Sequence, residues 1–119
     1  MKFFHWIFLV FCLVVYFLLS LGSVQNESLT FDEIVHIQEG INHITKQTFA
    51  VDTNNPPLIR ELTATPLVLG LQRYLPADTP YQRVLSARLV TILLGGMLLV
   101  AVFSFVRGYF GTAPAMLSV

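Results

Sequence analysis

Two adjacent carboxylates, Asp32 and Glu33, stand just beyond a long apolar run, Phe3–Leu21. A carboxylate near a low-dielectric surface has its proton affinity raised toward neutral pH. It can then take a proton from an acceptor hydroxyl or amine as a general base. A plainer role competes. Acidic side chains in the first turn of a helix are favoured by its dipole by about 0.3–1 kcal/mol, and Thr30 followed by Glu33 has the form of a capping box. The two roles divide naturally, with Glu33 serving the cap and Asp32 left to face a substrate.

The same stretch places Asp32, His36, Glu39 and His43 at helical spacings of four, three and four. These are metal-ligand types, although any amphipathic helix presents such rows, and an ordinary solvated face is the simpler reading. Lys46, Arg60, Arg73 and Arg88 are candidates for neutralising a phosphate, against the commoner fate of snorkelling toward headgroups. Arg88 stands out because it opens an apolar stretch, where an ionisable group is costly without a partner.

The elements that must position these residues follow from composition. Of 119 residues, 55% are hydrophobic and 12% charged, with a formal net charge of zero. Soluble domains carry about 25% charged residues, so a membrane class is expected. Phe3–Leu21 is interrupted only by His5 and Ser20, and Leu89–Val106 only by Thr91 and Ser104 among apolar residues and glycines. Each approaches the roughly 20 residues that cross a bilayer. The first run exceeds the 7–15 residues of a signal-peptide core, so a retained anchor is favoured over a cleaved leader. Cys12, the one cysteine, lies in this run and excludes an internal disulfide. All seven acidic residues lie between the two runs, whereas Lys2 and Arg107 lie at their outer ends. The positive-inside rule then puts the N-terminus in the cytoplasm and the connecting segment outside, with Arg83 and Arg88 as weak counter-signals.

The expected architecture is an all-α integral membrane protein with spans at about 3–22 and 87–106. An extracytoplasmic loop at about 23–86 carries juxtamembrane helices. Ser23–Leu29 reads as a polar connector that contains an Asn26-Glu27-Ser28 glycosylation pattern. Phe31–Lys46 reads as a helix with an apolar stripe at Phe31, Ile34, Ile37, Ile41 and Ile44. Pro56-Pro57 forces extended backbone ahead of the next element. Leu58–Leu75, interrupted by Pro66 and Gly70, reads as an interfacial segment. Pro76–Gln82 is expected to be a turn-rich link and Arg107–Gly111 a short turn. Residues 112–119 are expected to begin a truncated third span.

This order of features resembles the N-terminal part of the GT-C glycosyltransferases, specifically the family 39-like enzymes related to the protein O-mannosyltransferases and the lipid A aminoarabinose transferases. The matching residues are Asp32-Glu33, Gly40, Asn55-Pro56-Pro57-Leu58, Arg88-Leu89 and Phe110-Gly111. The resemblance implies a multi-pass enzyme of the plasma or inner membrane. It would move a sugar from a polyprenyl- or dolichyl-phosphate carrier to a glycan, lipid or protein acceptor at the extracytoplasmic face, with membrane lipid and no nucleic acid among its partners. Asp32 becomes the expected catalytic base with Glu33 beside it, and Asn55, Arg88 and Arg60 the expected substrate-binding residues. The resemblance departs at Asn55, where the family often places His or an acidic residue. An amide can hydrogen-bond a sugar or phosphate but is a poor metal ligand, so a divalent metal cofactor stays open.

Two spans and one loop cannot enclose a large pocket, so a piece of a larger enzyme, inactive by itself, is the leading expectation. The first rival is a small two-span membrane protein whose loop binds a partner without catalysis. The second is a cleaved leader followed by a single-anchor extracellular module.

Overall fold

A computed structural model describes residues 3–28, 30–48, 56–74 and 79–119. Every regular element among them is helical: α1 (Phe4–Asn26), α2 (Phe31–Lys46), α3 (Pro57–Val68), a single 3₁₀ turn (Leu71–Tyr74), α4 (Thr79–Phe110) and α5 (Thr112–Leu117). Two of these, over Phe4–Val24 and Val84–Phe110, are long and apolar enough to cross a membrane. At 1.5 Å per residue, each covers or exceeds a hydrocarbon core of about 30 Å. The chain divides into two compact units, one made of Met1–Asn26 with Ile92–Val119 and the other of Glu27–Thr91.

In the first unit α1 and the later part of α4 run antiparallel, as three contacts of falling and rising number show. The Arg107 guanidinium lies 4.6 Å over the Trp6 ring. Leu9 packs with Phe103, which is fully enclosed. Tyr16 Oη donates to the Ile92 carbonyl at 3.0 Å. Gly95 makes the last of these contacts fit, because a Cβ there would collide with the Tyr16 hydroxyl. Ala115 of α5 joins the Leu9–Phe103 cluster.

In the second unit α2 packs across α3 at Gly40. A Cβ on Gly40 would collide with the Arg60 carbonyl oxygen and come within 2.7 Å of Ala64 Cβ. Removing side-chain bulk at this point lets the two backbones approach, and Ala64 is completely buried there. Ile37, Val84 and Ala87 form the core of the unit, with Ile41 and Leu67 packed against it.

Several boundaries differ from the sequence expectation. The first apolar helix continues into the expected connector as far as Asn26. A lone Gly22 costs about 1 kcal/mol in a helix but does not end one. Helix α4 starts at Thr79, inside the expected turn-rich link, because Pro80 falls in the first turn where its missing N–H has no helical partner to lose. It continues through Arg107 to Phe110, so the expected turn there reduces to Gly111, whose φ of 92° sets the entry to the six-residue α5. The segment expected to lie at the interface forms two elements. Helix α3 carries Pro66, which leaves the Leu62 carbonyl without its helical N–H donor, and ends two residues later at Val68, and Gly70 with φ of 70° turns the chain into the 3₁₀ turn.

The largest difference is which face of α2 is buried. Of the apolar stripe, Ile37 is buried and Ile41 packs beside it while Phe31 is 81% and Ile34 51% exposed, whereas Glu39 and His43 of the expected solvated row are buried. Close approach requires the glycine, so the packed face centres on Gly40 and takes in Ile37 and Ile41 but not Phe31 or Ile34.

Candidate functional site

The start of α2 forms as its residues dictate. Glu33 Oε2 accepts from the Thr30 backbone N–H at 3.2 Å and from Thr30 Oγ1 at 3.0 Å, closing the capping box. Both Glu33 oxygens also face Arg88 of α4. Nε donates to Oε1 at 2.7 Å and Nη2 to Oε2 at 2.7 Å. The guanidinium reaches further, with Nη1 donating to the Glu27 carbonyl at 3.3 Å and Nη2 to the Ser28 carbonyl at 3.1 Å. This two-pronged geometry is open to arginine and not to lysine. Hydrogen bonding to Arg88 lowers the Glu33 pKa to about 2, against partial burial that works the other way, with the Thr30 contacts adding to the lowering.

A cavity of about 320 Å³ opens beside this pair. Three helices each supply one turn of lining: Glu33, His36 and Ile37 from α2; Ile59, Arg60 and Thr63 from α3; Ala87, Arg88 and Thr91 from α4, with Pro56 at the rim. Helical spacing explains the pattern, since residues three and four apart share a face. The lining is mainly apolar, and its formal charges are one carboxylate and two guanidiniums. Arg60 is 3% exposed. Thr63 turns its hydroxyl back on α3, donating to the Ile59 and Arg60 carbonyls at 2.9 and 3.0 Å.

The expected site residues are thus divided. Glu33, Arg60 and Arg88 meet at the cavity. Asp32 is exposed and does not line it. Asn55 lies outside the described residues. Arg73 lies over the Tyr74 ring at 5.1 Å, and Lys46 is exposed. The acidic-histidine row of α2 does not assemble: among the described residues no group of three or more His, Cys, Asp or Glu side chains could hold a metal ion. Burial against α3 separates Glu39 and His43 from the exposed Asp32, and His43 Nδ1 lies 3.9 Å from Glu61.

Sequence reasoning passed over His36, Thr63 and Thr91 as cavity residues. The available signal was their spacing from the charged residues, His36 three beyond Glu33, and Thr63 and Thr91 each three beyond an arginine.

An anion held by a guanidinium at such close range is a weaker proton acceptor than a free carboxylate. The buried Arg60 beside apolar walls suits an anionic group attached to an apolar chain. Comparisons with protein-family models, curated proteins and solved structures find no match to the chain.

Proposed function

We propose that this chain supplies the first membrane hairpin and loop of a GT-C-type glycosyltransferase, which transfers a sugar from a polyprenyl- or dolichyl-phosphate carrier to an acceptor at the extracytoplasmic face. The observation that carries the proposal is the cavity at the head of α4, where Arg60 and the Glu33–Arg88 pair stand among apolar residues. An acidic pair opening a helix, a Pro-Pro turn and an arginine leading a span are the features behind the resemblance. In the cavity the three helices bring Glu33, Pro56 and Arg88 together.

In this reading the N-terminus is cytoplasmic. Trp6 and Arg107 meet at one end of the hairpin, as expected for an aromatic and a cation sharing one membrane interface. Arg60 faces the carrier phosphate, and Arg88 holds Glu33 so that the α2 N-terminus keeps its place. Asp32, exposed next to Glu33, takes the proton of the acceptor hydroxyl. The acceptor oxygen bonds to the anomeric carbon of the sugar while the bond from that carbon to the phosphate oxygen breaks. The carrier phosphate leaves with the electron pair.

The test is transfer of a radiolabelled sugar from a lipid-phosphate donor by membranes containing the complete open reading frame. Asp32→Asn keeps shape and hydrogen bonding but removes the base, and is expected to lower the rate at least about 100-fold. A near wild-type rate would remove Asp32 from the mechanism. Exposed apolar side chains at Phe31, Ile34, Leu58 and Ile59 favour a second reading, a non-catalytic two-span protein whose loop docks a partner. Absence of any transfer by the complete protein, together with a stable complex recovered through this face, would favour it.

A further inference from the structure

His36 lines the cavity, and its Nδ1 is enclosed with no hydrogen-bond partner. A histidine arranged as a base donates Nδ1–H to a carboxylate or carbonyl, which leaves the lone pair on Nε2. Among the described residues, no carboxylate or carbonyl accepts from Nδ1 of His36. Glu33, three residues earlier and also lining the cavity, has its oxygens engaged by Arg88 and Thr30. A proton on Nδ1 would be a buried donor without an acceptor, a costly arrangement. With Nδ1 closed off, Nε2 is the nitrogen by which His36 can address the cavity.

We propose that His36 carries its proton on Nε2 and donates it to an acceptor oxygen on the head of an amphiphilic anion bound in the cavity, which makes it a specificity-determining residue. This rests on reading the cavity as the seat of a lipid-linked phosphate. Arg60 supplies charge from α3, Ile37, Ile59 and Ala87 supply apolar walls, and His36 adds a directional donor from α2. A guanidinium attracts any anion, whereas a single donor on one wall selects a head that presents an oxygen there.

The test uses the full chain in detergent micelles, with histidine labelled by nitrogen-15 and the His36 signals assigned by their loss in His36→Gln. The expected spectrum shows a protonated Nε2 and an unprotonated Nδ1, and addition of dodecyl phosphate shifts the Nε2 signal. Binding of dodecyl phosphate is expected to weaken roughly tenfold in His36→Phe, the loss of one hydrogen bond to a charged group. His36→Gln, whose amide nitrogen reaches the position of Nε2, is expected to recover most of that loss. A proton found on Nδ1, or equal binding by wild type and His36→Phe, would overturn the assignment of His36 alone. No binding by the wild type would overturn the reading of the cavity itself and the ligand half of this proposal with it.

Discussion

Arg88 grips Glu33 with two parallel hydrogen bonds of 2.7 Å, across 55 residues of sequence. The pair joins the first turn of α2 to α4 just where that helix becomes apolar. An arginine at such a place requires a partner, and here it has a carboxylate and two backbone carbonyls.

Breaking the pair should therefore cost more than a surface ion pair. Arg88→Leu leaves Glu33 partly buried and uncompensated, and is expected to destabilise the loop unit by about 1.5–3 kcal/mol. Arg88→Lys should recover less than half of this, because an ammonium cannot donate in parallel to both oxygens. Thermal unfolding in micelles, run as a double-mutant cycle with Glu33→Gln, measures the coupling.

Acid should weaken the same contact in a defined window. The folded-state pKa of Glu33 is lowered, to about 2, below the unfolded value of about 4.3. The group therefore contributes its full stabilisation above the unfolded value, and loses it as pH falls from there through about 2. Stability measured from pH 6 to pH 2 should drop across this range in the wild type, and the Glu33→Gln variant should lack that component.

Gly40→Ala should be more harmful than its size suggests. The added methyl meets backbone, the Arg60 carbonyl, rather than a flexible side-chain end, so α2 and α3 must separate. A loss of about 1–3 kcal/mol is expected, despite alanine's higher helix propensity. Cavity ligand binding should fall with it, since α2 and α3 form two of the three walls.

Tyr16→Phe tests the hairpin. It removes the hydrogen bond to the Ile92 carbonyl while keeping the ring beside Gly95. Hydrogen bonds between membrane helices are worth about 0.6 kcal/mol on average, so a loss of that order is expected in micelle unfolding. Gly95→Leu, which fills the space the tyrosine occupies, should cost distinctly more.

Orientation is checked by labelling. With Cys12 replaced by serine, a cysteine at Lys46 should react with a membrane-impermeant maleimide added to intact cells. A cysteine at Gly111 should react only after lysis. The reverse pattern would invert the proposed topology.

Much of this architecture is legible in the chain itself. The two apolar runs, the Phe31–Lys46 helix and the Thr30–Glu33 cap follow from local physics: apolar length, helical period, and a hydroxyl three residues ahead of a carboxylate. Helix ends were harder, because Gly22 and Pro80 carry breaker signals that their positions in the helix make harmless. The buried face of α2 was legible only in part: Ile37 and Ile41 pack as a stripe would, but Glu39 and His43 are buried with them and Phe31 and Ile34 are not. Counting isoleucines favours one side, but a crossing is decided by how closely two backbones can come, and that depends on a glycine meeting a particular partner.

The candidate site shows the same division. By itself the sequence established which residues carry charge, that Arg88 needs a partner at the head of an apolar stretch, and that Glu33 can cap its helix. A spacing of three puts Glu33 with His36, Arg60 with Thr63, and Arg88 with Thr91 on single faces, a signal the sequence reading passed over. Only the tertiary structure decided that these three faces converge, that Arg88 takes Glu33 as its partner, and that Asp32 stays outside the cavity. The reason is physical: periodicity acts within a helix, whereas the meeting of residues 55 positions apart is set by packing at Gly40, Ala64 and Ala87.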